Sequence, residues 1–354
     1  MPVGLTQQLG LDLGLEPFRQ RLPWRGGDLQ TLRDTLRPVP LPPDEGELLE
    51  LPAGRPPGLA LASASDRLVG VLDQPVAADG EPLGLVVLLH GLGGSSSREG
   101  LRRLGCTLQR AGFAVLRLNL RGAGPGRLRA PGTYAANSNA DLLPALARAR
   151  ELAGPLPLLG VGVSLGGTQL LNVAFAQPGL LDGIACVSSP LDLRACSRQI
   201  ERRRNAIYQR WLLRRLVEQT LADPFGIDPA EREALEAGGG PRTIRAFDAA
   251  ITAPRWGYRS VEHYYDQASP LARLLDPVQR ASLPPTLLVH AFDDPWVPAA
   301  ATAQVAEVAQ GPGLQVLLTP RGGHNGFHGI GDRAHQGCWS DRLTARWLTR
   351  LLQP

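Results

Sequence analysis

The sequence predicts an α/β fold: a mostly parallel, doubly wound sheet with an inserted helical segment. Three observations point there. Short, continuous apolar runs with β-branched residues alternate with helix-like stretches, the pattern of βαβ units whose strands are buried on both faces. Several of these runs open onto polar, Gly-bearing loops, and ligand sites in open α/β sheets sit at such carboxyl ends. The alternation stops over residues 191–275, where helical segments dominate, and resumes at residue 286. A chain of 354 residues, 43% hydrophobic, can build one large catalytic domain with insertions.

Residues 1–60 are rich in Pro and Gly with little periodicity, and an irregular arm wrapping the domain is expected. Residues 59–73 suggest one or two short strands, split near Ser65 and Asp66, that start an antiparallel edge. The run 85–89 (LVVLL) reads as a buried strand leading into His90-Gly91-Leu92-Gly93-Gly94-Ser95. A Gly-rich loop there can turn backbone N–H groups toward a developing negative charge. The plainer reading is a tight turn or a phosphate cradle, and the missing G-K-[ST] continuation excludes a P-loop. A helix over 98–110 and a strand over 114–118 follow, the strand opening onto NLRGAG at 119–124; a helix over 139–152 comes next.

The stretch 156–176 organises the rest. Its apolar run stops at Ser164, passes Gly166 and Gly167, and resumes with helical spacing at Leu170, Leu171, Ala174 and Phe175. Gly162, Ser164 and Gly166 form a G-x-S-x-G, in which glycines let the chain reverse tightly and hold a strained Ser at a strand's carboxyl end. A further strand over 184–187 ends at Ser188-Ser189-Pro190. The helical insert then carries Arg198, Arg202, Arg203, Arg204, Arg210, Arg214 and Arg215, read first as a solvated helix face. It also holds Trp211, Phe225, Phe247, Trp256, Tyr258, Tyr264 and Tyr265, some of them candidates to line an acyl pocket. The sheet resumes with a strand over 286–289, the loop HAFDDPWVP at 290–298, a helix over 299–310, a strand over 314–318, the loop RGGHNGFH at 321–328 and a closing helix over 340–352.

Ser164, then Asp293 or Asp294, then His324 stand in the order that meets above a doubly wound sheet, each after a predicted strand. A Ser hydroxyl needs a base to take its proton, and the resulting imidazolium needs a carboxylate beside it. Asp294 is the preferred acid and Asp293 the alternative. Among the six histidines, His324 alone follows a strand and a Gly-Gly pair; His328 is its main rival, with His90, His263, His290 and His335 placed less well. His324, His328, His335 and Cys338 also suggest a metal site, but His-x3-His needs a helix and Gly323, Gly326 and Gly329 argue against one. No metal and no cofactor is expected.

All 37 basic residues are Arg, the net charge is only +4 and aromatics are 5%, so no basic, aromatic-interleaved surface for nucleic acid is evident. Cys106, Cys186, Cys196 and Cys338 lack C-x-x-C pairing, arguing against a disulfide framework or zinc ribbon. The first residues lack a signal-peptide pattern and no run reaches the length of a membrane span, so a cytoplasmic protein without stable membrane insertion is expected.

The chain resembles the YheT family of α/β hydrolases, near the mammalian α/β-hydrolase-domain esterases. The likeness is carried by GGDLQTL at 26–32, HGLGGSS at 90–96, NLRGAG at 119–124, GVSLGG at 162–167, FDAAITAPRWGY at 247–258, YYDQASP at 264–270, FDDP at 292–295 and GGHNGF at 322–327. It departs at AANS after Tyr134, where a His-Ser pair would be expected. The resemblance implies that Ser164, Asp294 and His324 are the charge-relay residues, that 247–270 belongs to a lid, and that the activity is carboxylic-ester hydrolysis. The resulting expectation is an α/β-hydrolase core over 61–190 and 276–354, a lid over 191–275, and backbone N–H groups of Leu92 and Leu165 binding the oxyanion of a small-molecule or lipid ester. An acyltransferase using the same acyl-enzyme, or a non-catalytic binding protein of this fold, are the alternatives.

Overall fold

A computed structural model describes residues 9–61, 65–76, 80–309, 311–332 and 337–353. Eight strands form one sheet: β1 Glu47–Pro52, β2 Arg67–Asp73, β3 Leu85–Leu89, β4 Ala114–Asn119, β5 Leu158–Val163, β6 Gly183–Val187, β7 Thr286–Ala291 and β8 Leu314–Thr319. Their order is β1-β2-β4-β3-β5-β6-β7-β8. β2 is antiparallel to both β1 and β4, and every pairing from β4 to β8 is parallel. The chain leaves β3 for β4 on one side and places β5 on the other, so the sheet's switch point lies beside β3, where the loops after β3 and β5 meet.

The continuous apolar runs are explained by two covered faces. Val87 and Leu89 of β3 point to the face packed by helices Asn139–Ala153 and Leu165–Ala176, through Leu142, Leu146, Leu170 and Leu171. Val86 and Leu88 point to the other face, against Leu101, Leu104 and Leu108 of helix Glu99–Arg110 and Trp339, Leu343 and Trp347 of helix Trp339–Leu351. Fully burying such a Val or Leu contributes roughly 1.5–3 kcal/mol.

Among its described residues, the arm expected to be irregular over 1–60 contains regular structure: a helical stretch at 9–12, helix Gly27–Leu36 and the edge strand β1. The helix buries only Gln30, a polar residue, so it has no apolar stripe for periodicity to reveal. β1 is likewise exposed at half of its positions and fully buries Leu51 alone. The strand signal at 59–73 resolves into β2 by itself, which lies inside β1 rather than at the edge; residues 62–64 lie outside the described residues.

Between β6 and β7 the chain is helical, with Leu193–Ile200, Ala206–Leu221, Pro229–Glu236 and Val261–Ala268 the longer elements. Two small clusters hold this insert together. Leu213, Leu216, Leu235, Phe247 and Ile251 form one, and Trp256, Val261, Tyr264 and Tyr265 pack on Ala135 and Ala136 of the core in the other. A π-helical turn at Asp248–Thr252 precedes Pro254, whose ring and missing N–H disfavour a regular i→i−4 ladder there. Among the described residues no helix is long and apolar enough to cross a membrane.

Candidate active site

Ser164 caps helix Leu165–Ala176 immediately after β5 with φ 54°, a left-handed conformation that is costly for a residue with a Cβ. The surrounding glycines make the turn possible by close approach. A Cβ on Gly162 would lie 2.2 Å from Gly167 N, and one on Gly166 would lie 2.5 Å from the Leu89 carbonyl oxygen. Ser164 N–H is bonded to the Val187 carbonyl at 2.8 Å, tying the turn to the neighbouring strand.

Ser164 Oγ lies 2.9 Å from His324 Nε2, and His324 Nδ1 lies 2.8 Å from Asp294 Oδ2. The carboxylate accepts, so Nδ1 carries the proton and Nε2 is free to accept from the Ser hydroxyl; the tautomer is assigned from these partners. Asp294 is fully buried. Burial alone would push its pKa up, but the neighbouring His324 and His290 outweigh it and hold the carboxyl far below the usual range. Its other oxygen accepts from the backbone N–H groups of Trp296 at 2.8 Å and Val297 at 2.9 Å. The Trp296 ring stacks on the imidazole with centroids 4.7 Å apart.

Asp293 is turned the other way, and its Oδ1 accepts the Gly323 N–H at 2.8 Å. Next to it, His324 N–H donates to Thr31 Oγ1 at 2.9 Å, and Asn325 N–H donates to Ser188 Oγ at 3.2 Å. Three successive amides of the histidine loop are therefore held by side chains from three distant segments. Thr31 belongs to helix Gly27–Leu36, which presses so closely on the site that a Cβ on Gly27 would sit 2.0 Å from the Asp293 carbonyl oxygen. Composition and periodicity carry no sign of this brace, although GGDLQTL contains both Gly27 and Thr31.

His328 does not join His324. It is buried, and its Nε2 lies 3.1 Å from Asp34 Oδ1. Burial, first, and the nearby Arg103 and Arg33 charges push its pKa down against the pull of Asp34. The loop turns through left-handed Gly323, Asn325 and Phe327 and is not a helix. His335 lies outside the described residues, and among those described no group of His, Cys, Asp and Glu is arranged to hold a metal ion. His290 bonds Val297 O at 3.1 Å and Thr302 Oγ1 at 3.1 Å behind Asp294. His263 accepts from the Arg259 N–H at 3.3 Å in the insert.

The loop after β3 passes beside the serine: a Cβ on Gly91 would lie 2.9 Å from Ser164 Cβ and 3.4 Å from its Oγ. His90 is buried there, and burial lowers its pKa to about 4. Its Nε2 accepts from Leu120 N–H at 3.2 Å, so Nδ1 bears the proton and donates to the Gly91 carbonyl at 2.8 Å. Tyr134 Oη donates to the same carbonyl at 3.2 Å and accepts from Gly93 N–H at 2.7 Å. In a planar trans peptide, C=O and N–H point opposite ways. These two side-chain donors on Gly91 O, joined by the Gly94 N–H at 3.1 Å, therefore aim the Leu92 N–H away from His90 and Tyr134. Leu92 and Leu165 both line the cavity that contains Ser164 and His324, and Leu165 N–H is at the positive end of a 12-residue helix.

The sequence AANS after Tyr134, which stands in place of a His-Ser pair, is held by its backbone instead. Ala136 N–H donates to Tyr264 Oη at 2.8 Å, Gln169 donates to Ala135 O at 2.6 Å, and Asn172 donates to Ala136 O at 2.9 Å. The cavity, about 370 Å³, is walled by Leu193, Leu212, Leu216, Phe247, Tyr264 and Tyr265 of the insert facing Leu92, Leu165 and Val187 of the core. Of the other aromatics considered for a pocket, Trp211 lines it, while Phe225, Trp256 and Tyr258 do not. Cys196 also faces the cavity, but burial and the nearby carboxylates of Asp294 and Asp192 keep its thiol protonated.

A serine on a strand-to-helix elbow, hydrogen-bonded through a histidine to a buried aspartate at the carboxyl ends of a mostly parallel sheet, defines a serine hydrolase of the α/β-hydrolase class. Residues 80–329 match the family described as Serine aminopeptidase, S33 (Hydrolase_4). YheT of Escherichia coli (strain K12) is 30% identical over 286 residues, covering 79% of this chain and 80% of YheT. The chain belongs to the YheT family of α/β hydrolases, within the serine ester hydrolases. A Bos taurus protein named phospholipase ABHD3 is 27% identical over 278 residues, covering 76% of this chain but 64% of its own length. Among solved structures, the esterase domain of a Rhodothermus marinus protein shares the fold, with a TM-score of 0.52 at 19% identity over 87% of this chain and all of that one.

Proposed function

We propose that the protein is a serine carboxylesterase whose acyl group is apolar. The observation that carries the reading is the hydrogen-bonded line Asp294–His324–Ser164 at the floor of an apolar cavity. Ser164 Oγ attacks the ester carbonyl while His324 Nε2 takes its proton, and Asp294 stabilises the imidazolium that forms. The tetrahedral oxyanion receives the N–H groups of Leu92 and Leu165, each worth about 3 kcal/mol in the transition state. The collapse of that intermediate releases the alcohol, protonated by His324, and leaves an acyl-serine. A water, deprotonated by the same histidine, then completes hydrolysis. The apolar walls suit an acyl chain, and residues 191–275 act as a lid that supplies most of them. The name phospholipase on one relative agrees with a lipid ester as substrate.

Labelling by a fluorophosphonate, combined with hydrolysis of nitrophenyl esters from acetyl to palmitoyl, tests this. Labelling of the wild type that vanishes in Ser164→Ala, with turnover reduced by roughly 10⁶-fold, is the expected result. A folded wild type that neither labels nor hydrolyses any ester overturns the reading.

A further inference from the structure

Two guanidinium groups flank Gly93, one residue beyond Leu92. Arg98 Nη2 donates to the Gly93 carbonyl at 3.4 Å, and a Cβ on Gly93 would lie 3.8 Å from Arg215 Nε. Arg215 is held from the other side, its guanidinium carbon 5.0 Å from the centroid of the Trp211 ring. The two like charges are close enough to oppose each other: burial, first, and then the charge of Arg215 lower the pKa of Arg98. Among the described residues no carboxylate lies within 4.0 Å of either group. The nearest acids in sequence are engaged elsewhere, Glu218 with Arg214 at 2.7 Å and Glu99 with the Val39 N–H at 2.6 Å. Arg98, Trp211 and Gln219 border both the catalytic cavity and an adjoining open groove, and Arg215 lines that groove together with Arg127.

Two like charges at one half-open rim repel each other, and an anion placed between them would relieve that repulsion. Guanidinium groups present a planar fork of donors that matches phosphate oxygens. The position also matters. With the ester carbonyl at Leu92 and Leu165 and the acyl chain among the apolar walls, the alcohol half of the substrate runs out past Gly93. We propose that Arg98 and Arg215 form an anion subsite for a phosphate-bearing alcohol group of the ester substrate. This deepens, and rests on, the esterase reading above: the same site cleaves an acyl ester whose leaving alcohol carries a phosphate.

The test compares two soluble substrates that differ only in charge, 1-butyrylglycerol and 1-butyrylglycerol 3-phosphate, and reads the ratio of their kcat/KM values. Wild type favours the phosphate ester. The ratio falls roughly 10-fold in Arg98→Ala/Arg215→Ala, falls less in the double Lys variant, and shrinks with rising ionic strength as a charge-based preference must. A ratio that the double Ala variant leaves unmoved overturns the subsite, and with Ser164 still labelled by fluorophosphonate the esterase reading stands. Equilibrium binding to the Ser164→Ala protein reads the subsite without turnover: glycerol 3-phosphate binds, and binds more weakly once both arginines are Ala. Absence of labelling and of all hydrolysis, with this binding intact, sinks the esterase reading and the ester-substrate assignment that rests on it, and leaves only the anion subsite. Inorganic phosphate that binds as tightly as glycerol 3-phosphate, with no preference between the two esters, identifies free phosphate as the ligand and overturns the substrate assignment.

Discussion

The two halves of the active site are built in opposite ways. Ser164 stands on a turn whose glycines fall within six residues: Gly162 lets β5 fold back against its own helix, while Gly166 and Gly167 let that helix approach the Leu89 carbonyl of β3 and Ser189 beyond β6. His324 stands on a loop that has no comparable local rule. Its three amides are held by Asp293, Thr31 and Ser188, its ring by Asp294 and Trp296, and the residues involved span from 31 to 325. On the proposed reading, the contrast teaches that a nucleophile can be set by a strained turn, whereas a base that must accept and return a proton is set by surrounding hydrogen bonds. The serine half should therefore be sensitive to backbone bulk, and the histidine half to loss of remote partners.

The comparison breaks most sharply at Asp294. Asp294→Asn keeps the shape but cannot hold the Nδ1–H tautomer or stabilise the imidazolium, and kcat should fall about 10⁴-fold. Circular dichroism should report a folded protein, and fluorophosphonate labelling should slow in parallel. Activity within tenfold of wild type would mean that the histidine half does not depend on its carboxylate.

The loop beside the serine has its own dependence, on a neutral His90. Its folded pKa of about 4 lies below the unfolded value near 6.5. Above pH 6.5 the residue is neutral in both states and adds no pH dependence. As pH falls from 6.5 toward 4, the unfolded chain takes up a proton that the folded protein refuses, and stability is lost, by about 3 kcal/mol at pH 4. Urea unfolding across that range should show a steeper loss in the wild type than in His90→Asn. Equal slopes would remove His90 from the support of the Gly91 carbonyl.

A smaller effect sharpens the contrast from the other side. Thr31→Val removes the acceptor of the His324 N–H without touching any reacting atom, and kcat should fall roughly 10- to 100-fold with KM little changed. Thr31→Ser keeps the hydroxyl and should restore most of the rate. A merely structural role for the helix would instead lower thermal stability and leave the kcat of the folded protein as it was.

How much was legible follows the same division. The strands from β3 to β8 were readable because a sheet covered on both faces demands uninterrupted apolar residues, and each run fell within two residues of its strand. Ser164 was readable because its turn demands glycine at fixed spacing. The arm was not, because helix Gly27–Leu36 contributes hydrogen bonds through Gln30 and Thr31 and almost no apolar surface. Neither was the clamp of Tyr134 and His90 on the Gly91 carbonyl, which joins residues 43 and 1 apart around one peptide group. The pairing of His324 with Asp294 rather than Asp293 was a preference in the sequence. In the fold it follows from the turn at 291–297, which puts successive carboxylates on different partners.

By itself, then, the sequence determined the periodic features of this protein: which segments are buried strands, where the alternation breaks for the helical insert, and where a serine must sit on a strained turn. Those depend on neighbours a few residues away, and burial and backbone sterics act at that range. The tertiary structure alone decided which carboxylate meets the histidine, which helix braces its loop, which aromatic side chains wall the cavity, and that two arginines remote in sequence share one rim. Hydrogen bonds and charges act over a few ångströms of space regardless of chain separation, and only the completed fold sets those distances.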